Sequence, residues 1–382
     1  MRTPFHLIDV TTPEDSLEPS SGSLRAAVEA ANGDKPGDGC SGTSCRHVIR
    51  LPHGTYRLTD APLVVSGDLT ILGDPAQNGA SVVLSGCATT NVITVTKCAH
   101  LTLVGVTVTG GGGAMGAGIL NRGILTVRRS TLRNNTATGE SGANSPCLST
   151  PERDQDCAGG GGGGAAGLGG GLFNTGHATL ESVVLRSNAA VGGAGGNSSY
   201  PMSGQFCDTG GPGGGPEGGA GGGYTDCSGS GTAGGAGGFA SGGGGGGAAA
   251  FGGGDGGAGG FGAGGGGGGG RTSGGANSTG GVGGFGGGSG ATPFEQSAGG
   301  GGGGGGGIGG AIFNKGGFVR LTGCRFDDNR VSGGAPGTGI PAGAAGQGLC
   351  PDVFSYGGFV FIDGCMPVMS GCTACDGVIA PG

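Results

Sequence analysis

"GGAIFNKGGFVRLTGCRFDDN", residues 309–329, begins where a run of almost pure glycine stops, and it carries the apolar alternation of a short bent strand. Stacked without gaps on "LTLVGVTV" (101–108), "LTVRRSTL" (125–132), "ATLESVVL" (178–185) and "VFIDGCMP" (360–367), its segment "VRLTGCRF" (319–326) falls into columns. The first column is Leu101, Leu125, Ala178, Val319 and Val360, and the second is Leu103, Val127, Leu180, Leu321 and Ile362. Val106, Ser130, Val183, Cys324 and Cys365 make the third. Alternation breaks between the second and third columns, at Val104-Gly105, Arg128-Arg129, Glu181-Ser182, Thr322-Gly323 and Asp363-Gly364, so each strand is expected to turn a corner there. A bent strand with one apolar face cannot bury it alone, and stacking copies makes a continuous core. "LPHGTYRL" (51–58) and "DLTILGD" (68–74) supply earlier turns of the stack.

Asparagine recurs in the same register. Asn121, Asn174 and Asn314 each stand two residues before a glycine, and Asn135, Asn188 and Asn329 follow the second arm. Stacked at one corner, the first set is expected to form a hydrogen-bonded ladder. For the second set a ladder and a simple turn role are equally open.

The spacing between third-column residues explains the glycine. It runs 24, 53, 141 and 41 residues, and the excess over the first falls each time between the second arm and the next strand. The chain therefore divides into a cap and first coils (1–137), a glycine-rich insert (138–170), a coil (171–190), a long insert (191–308), a coil (309–332), a short insert (333–352), and a last coil with a Cys-rich end (353–382). Inserts rooted on adjacent coils start about 4.8 Å apart, the strand spacing. Glycine tracts there can run as polyproline-II-like helices side by side, or remain disordered, as composition alone favours. The sequence shows no strict period in the glycine runs and leaves the choice open. Phe239, Phe251, Phe261 and Phe285 punctuate the longest insert as candidate anchors and binding residues. Residues 195–305 are expected to be removable without harm to the stack, but not without loss of binding, since the corner they leave from is the expected recognition surface.

Glycine supplies 110 of 382 residues, with no Trp, so an ordinary globular core cannot fill most of the chain. The net charge of −7 comes with scattered Lys and Arg, which argues against a nucleic-acid partner, and no apolar run is long enough for a membrane span. Thirteen cysteines point to disulfides and an oxidising compartment. The candidates are Cys40 with Cys45, Cys147 with Cys157, Cys207 with Cys227, and also Cys87, Cys98, Cys324, Cys365, Cys372 and Cys375. Cys324 and Cys365 share an inward step, where either a disulfide or two thiols fit. Zinc is disfavoured, since "CTAC" (372–375) lacks a second pair. "MRTPFHLIDV" reads as a first strand with no signal peptide, so export is expected through a leader missing from this start or by another route.

"SGSLRAAVEAAN" (21–32) reads as a helix capped by Ser23, with Leu24, Ala27, Val28 and Ala31 on one face to close the open end of the stack. "GSLRAAVEAAN", "LPHGTYRL" and "LTILGD" together resemble the opening of bacterial secreted right-handed parallel β-helix proteins of the CSLREA type, with Gly22 where that motif commonly has Cys. The later coils resemble the GGAI/FxxN repeats of polymorphic outer-membrane proteins. "GGAI" (309–312) with "FDDN" (326–329) matches literally, while "AGIL" (117–120) with "LRNN" and "GGLF" (170–173) with "LRSN" match loosely. The resemblance covers about half the chain and none of the inserts. It implies an all-β, right-handed parallel β-helix at the cell surface or outside it, often adhesive, although no barrel-forming strands follow the last coil.

Catalysis on such a fold needs two carboxylates, or a carboxylate with Arg or Lys, on one outer face. The outward positions offer one acid per neighbourhood, and Glu181 is expected to pair with Arg128 across coils. Asp327 and Asp328 read as turn residues. The sequence thus favours a non-catalytic binding, adhesive or structural module without cofactor or metal, whose expected partner is a surface carbohydrate or protein. A carbohydrate-active enzyme is the alternative. An ice- or surface-binding role, resting on Thr102, Thr126 and Thr179 in one outward column, ranks last because the column fails at Arg320. Oligomeric state is not legible.

Overall fold

A computed structural model describes residues 5–18, 20–33, 46–59, 61–73, 82–146, 158–198, 207–225, 228–271, 278–294, 298–365 and 378–379. The chain is nearly all β with parallel sheets, an architecture compatible with a β-solenoid. A long nine-stranded sheet contains His100–Val104, Ile124–Arg128, His177–Glu181, Phe318–Thr322 and Phe359–Asp363 in consecutive places. A second sheet of six strands runs from Gly54–Arg57 through Thr131–Arg133 to Arg325–Asp327. The third, also six-stranded, contains Ile119–Asn121, Leu172–Asn174, Ile312–Lys315 and Val353–Tyr356.

The long sheet pairs in the register that the apolar columns predict. Leu125 lies beside Leu101 and Ala178, and Val319 lies beside Ala178 and Val360. Leu103, Val127, Leu180 and Leu321 are buried, with Ile362 packed against the same core. Thr102, Thr126 and Thr179 alternate with them on the outer face. Every predicted corner carries a left-handed residue: Gly105 (φ 68°), Arg129 (44°), Ser182 (54°), Gly323 (57°) and Gly364 (60°). Arg129 and Ser182 adopt that conformation despite their Cβ, a strain the surrounding ladders impose.

Both asparagine sets form ladders. Asn121 Nδ2 donates to Asn174 Oδ1 (2.6 Å), Asn174 Nδ2 to Asn314 Oδ1 (2.8 Å), and Asn314 Nδ2 to Ser355 Oγ (3.1 Å). At the other corner Asn135 donates to Asn188 (3.0 Å), Asn188 to Asn329 (3.1 Å), and Asn329 to Asp352 (3.0 Å). The left-handed residue of that corner is the one before each Asn, at Asn134, Ser187 and Asp328. The asparagines are there for their amides, which bridge buried backbone between turns, and a turn role alone does not account for them.

The N-terminal segment behaves as read. Phe5–Asp9 is a strand beside Arg46–Leu51, and the helix Leu24–Asn32 is capped by Ser23 Oγ, which accepts from the Ala26 amide at 3.1 Å. Leu24, Ala27, Val28 and Ala31 enter the main core. Asn32 bridges to the third sheet through the Val64 carbonyl and the Ser66 amide. Arg25 locks the cap with a bidentate pair to Asp15 (2.6 and 2.8 Å) and a bond to the Ala61 carbonyl. Burial opposes ionisation of Asp15, but the bonds from Arg25 and Thr59 hold its carboxyl below the usual range.

Asn174→Leu fills the same space yet leaves Asn121 and Asn314 short of a partner inside the stack. It is expected to lower stability by about 3 kcal/mol in urea unfolding, whereas Thr179→Ala on the neighbouring outer column should change it by no more than about 0.5 kcal/mol.

Candidate functional site

The three glycine-rich stretches leave the stack after the strands Thr136–Thr138, Ala189–Val191 and Arg330–Ser332, which pair with one another, and return at Gly167–Leu168, Gly307–Ile308 and Gly348–Leu349, which also pair. Their roots therefore start in register. One row of hydrogen bonds crosses all three inserts: Gly162 N to Ala143 O (3.0 Å), Gly196 N to Gly162 O (2.7 Å), Gly302 N to Gly196 O (2.9 Å) and Gly337 N to Gly302 O (2.8 Å).

Within the bundle each tract has a period of three. Gly242 and Gly245 donate to Gly214 and Gly211, Gly243 and Gly246 to Gly264 and Gly267, and Gly244 and Gly247 to Gly235 and Thr232. One tract thus binds three neighbours in three directions, the geometry of an extended helix with three residues per turn. Tracts approach so closely that a Cβ on Gly245 would collide with the Gly160 carbonyl oxygen. Residues 241–250 and 262–270 are buried throughout.

Side chains return where the bundle ends. On the outermost tracts Ala233 and Ala236, Asp255 and Ala258, and Thr279 and Val282 are exposed at three-residue steps. These tracts lie side by side, with Gly237 N donating to Ala258 O and Gly259 N to Val282 O, both at 2.9 Å. Side chains at every third position make a layer of small and apolar groups, with Val282 70% exposed.

The next step along each of these tracts is a phenylalanine, and there the chain reverses through Ala240 (φ 60°), Gly262 (78°) and Gly286 (78°). Phe239, Phe261 and Phe285 stack with centroids 5.4 Å apart. They pack on the outward column of the third sheet, where Phe173, Phe313 and Phe354 form a second core with Leu168 and Ile308. Lys315 Nζ sits 3.4 Å from the Phe239 centroid. Three of the four candidate anchors thus come together, while Phe251 is exposed and shares no ring contact with them among the described residues. Phe173, Phe313, Phe354 and Tyr356 were not singled out from sequence, although "LFN", "IFN" and "VFS" place an aromatic at the same outward step. Because the insert covers this column, removing 195–305 would expose Phe173, Phe313 and Phe354.

Asp208 fastens the inserts to each other at their far end. It is buried, its backbone exchanges two bonds with Ala248, and its carboxylate accepts from Ser145 Oγ (2.9 Å) and the Thr209 amide (2.8 Å). Burial pushes its carboxyl above the usual range despite those bonds.

Among the cysteines, Cys98, Cys207 and Cys350 are disulfide-bonded, and Cys87, Cys324 and Cys365 are free thiols, which corrects the disulfide reading for Cys87. Cys324 and Cys365 stack as the column predicts, in the dithiol form, with the Cys324 amide donating to Cys365 Sγ at 3.3 Å. A side-chain bond between the two sulfurs lowers the Cys365 thiol to about 7, and the same side-chain bond, with burial, pushes Cys324 up. Cys40, Cys45, Cys147, Cys157, Cys227, Cys372 and Cys375 lie outside the described residues. Arg128 pairs with Glu181 at 2.9 Å as expected, and Asp327 with Arg325 at 3.3 Å. Among the described residues no three His, Cys, Asp or Glu gather in a metal-holding group, and no helix is long and apolar enough to cross a membrane.

Gly245→Ala is expected to destabilise the bundle by about 2 kcal/mol through overpacking, read as faster hydrogen exchange over 242–247 with the stack unchanged. Ala258→Ser, on the exposed layer, should leave exchange unaltered. For Asp208 the sign follows from its raised carboxyl: the fold favours the protonated form, so its contribution falls as pH rises from the ordinary value of 3.8 through the raised one. Asp208→Asn should therefore raise the melting temperature at pH 7, with the gain vanishing below about pH 4.

No protein-family model matches the chain, and neither a curated protein nor a solved structure is significantly similar to it.

Proposed function

We propose that the protein is a right-handed parallel β-helix, exported to the cell surface or beyond it, that works without catalysis as a binding or structural module through its glycine-rich inserts. Parallel strands joined by crossovers within one sheet are right-handed in about 98% of cases, which supports the hand. Three half-cystines among the described residues agree with an oxidising location. The resemblance of its opening and coils to CSLREA-type and polymorphic outer-membrane repeats points the same way.

The observation that carries the reading is the outer layer of the bundle. Ala233, Ala236, Ala258 and Val282 stand exposed on backbone locked by hydrogen bonds, beside the half-exposed Phe285. A spacer needs no such order, and contiguous exposed apolar groups on a rigid support suit recognition of a carbohydrate or protein surface at little entropic cost.

The test is retention on immobilised polysaccharides and on protein-coated surfaces, with release of soluble sugar followed in parallel. The double variant Ala236→Arg/Val282→Arg places two long cations on the layer, where the parent side chains already face solvent. At least tenfold weaker retention with an unchanged circular dichroism spectrum, and no sugar released by either protein, is the expected result. Unaltered retention removes the layer as the recognition surface, and cleavage of any polysaccharide favours the enzyme reading.

A further inference from the structure

Toward the C-terminal end of the long sheet a shallow pocket of 270 Å³ opens on the outer face, lined by Phe318, Arg320, Phe359, Val360 and Phe361. Pairing sets its geometry: Phe318 lies beside Phe359, and Arg320 beside Phe361, so two adjacent outward columns become aromatic at once. Phe318 is 38% and Phe359 60% exposed, a large apolar area to leave in water. The Arg320 guanidinium lies 5.3 Å from the Phe361 centroid, and among the described residues no carboxylate lies within ion-pair distance of it. Of the two acids diagonal to Arg320 on this face, Glu181 is occupied by Arg128, while Asp363, beside Thr322, is exposed and has no ion pair among the described residues.

The four places before Arg320 in its outward column are hydroxyls. Thr70, Thr102, Thr126 and Thr179 are neighbours in register, and Thr179 pairs with Arg320. They repeat at about 4.8 Å along the stack. The column that broke the sequence-level threonine pattern is therefore a hydroxyl track leading to a cation set among phenyl rings.

Three chemical demands follow for an occupant. It needs a flat apolar face for the rings, an anion for a guanidinium that binds carboxylates in a planar fork, and hydroxyls to continue along the threonines. An extended peptide gains affinity from main-chain bonds to a strand edge. Here the strand main chain is already spent in the parallel ladder, and only side chains are offered. We propose that this pocket binds a carboxylate-bearing pyranose, as part of an acidic polysaccharide whose chain runs along the threonine column. The site is independent of the glycine bundle.

Isothermal titration with a hexamer of galacturonic acid tests it, beside the methyl-esterified hexamer, a glucuronate-containing hexamer and poly-glutamate. The acid is expected to bind, the ester at least tenfold more weakly, and added salt to weaken the acid. Arg320→Gln and Phe359→Ala, both at exposed positions, should each lose at least tenfold, whereas Ala236→Arg/Val282→Arg should bind as the parent does. Binding of the glucuronate oligomer instead, with the same dependence on Arg320, supports the proposal and identifies the other acid. Equal affinity for acid and ester, unchanged binding by Arg320→Gln, no binding of either acid, or poly-glutamate binding as tightly through Arg320 overturns it.

Discussion

In the inner tracts of this protein a neighbour's carbonyl oxygen stands where a side chain's Cβ would have to be. That single steric constraint explains why the inserts are glycine and why they are ordered. It does not by itself explain stability. Fixing a residue's backbone costs about 1–2 kcal/mol, with glycine at the upper end, and a net hydrogen bond returns about 1 kcal/mol. A glycine tract therefore does not order itself by main-chain bonds alone. Two things help to order it: the roots are already placed in register by the strands that pair at exit and return, and the phenylalanines at the reversals cover Phe173, Phe313 and Phe354 on the third sheet. Phe173, Phe313 and Phe354 are nearly free of solvent beneath them, and fully burying a phenyl is worth roughly 1.5–3 kcal/mol, more than any one tract contact.

The dependence runs in both directions. The outward column of an ordinary half-solvated sheet is polar, and here it changes along the stack from Val64 and Thr94 to Leu120, Phe173, Phe313 and Phe354 as the inserts appear. Coils without inserts face water on that side, and coils with inserts face a second core. The corners hold the two halves in step. Left-handed residues set the bend, the asparagine ladders satisfy the backbone that the bend leaves unpaired, and each insert then leaves at the height of its own coil.

What the sequence discloses follows from which atoms carry the order. Side-chain alternation carries the long sheet, so its register, its corners and the Arg128–Glu181 pair were legible from Leu103, Gly105 and their equivalents. The bundle is held by main chain, and main chain is invisible in composition. Its only trace is at the surface: "DGGAGGF" (255–261) and "TGGVGGF" (279–285) repeat every three residues, because only the outward third of an edge tract has room for a Cβ. Inner tracts such as 264–270 have no outward third and read as featureless glycine. Phe251 looked like Phe239 and Phe261 in sequence but does not share their place at a reversal toward the third sheet.

The same outward third has a further consequence. An open glycine tract resembles an open strand edge, with donors and acceptors ready for another copy. At the exposed layer, Ala236, Ala258 and Val282 put side chains where the next tract would have to lie, so the lattice cannot be extended by backbone pairing. Growth is stopped by methyl groups more than by charge, with Asp255 an acid on that layer. A surface closed in this way is held rigid by main-chain bonds beneath it and offers side chains instead of backbone, as the proposed recognition role requires.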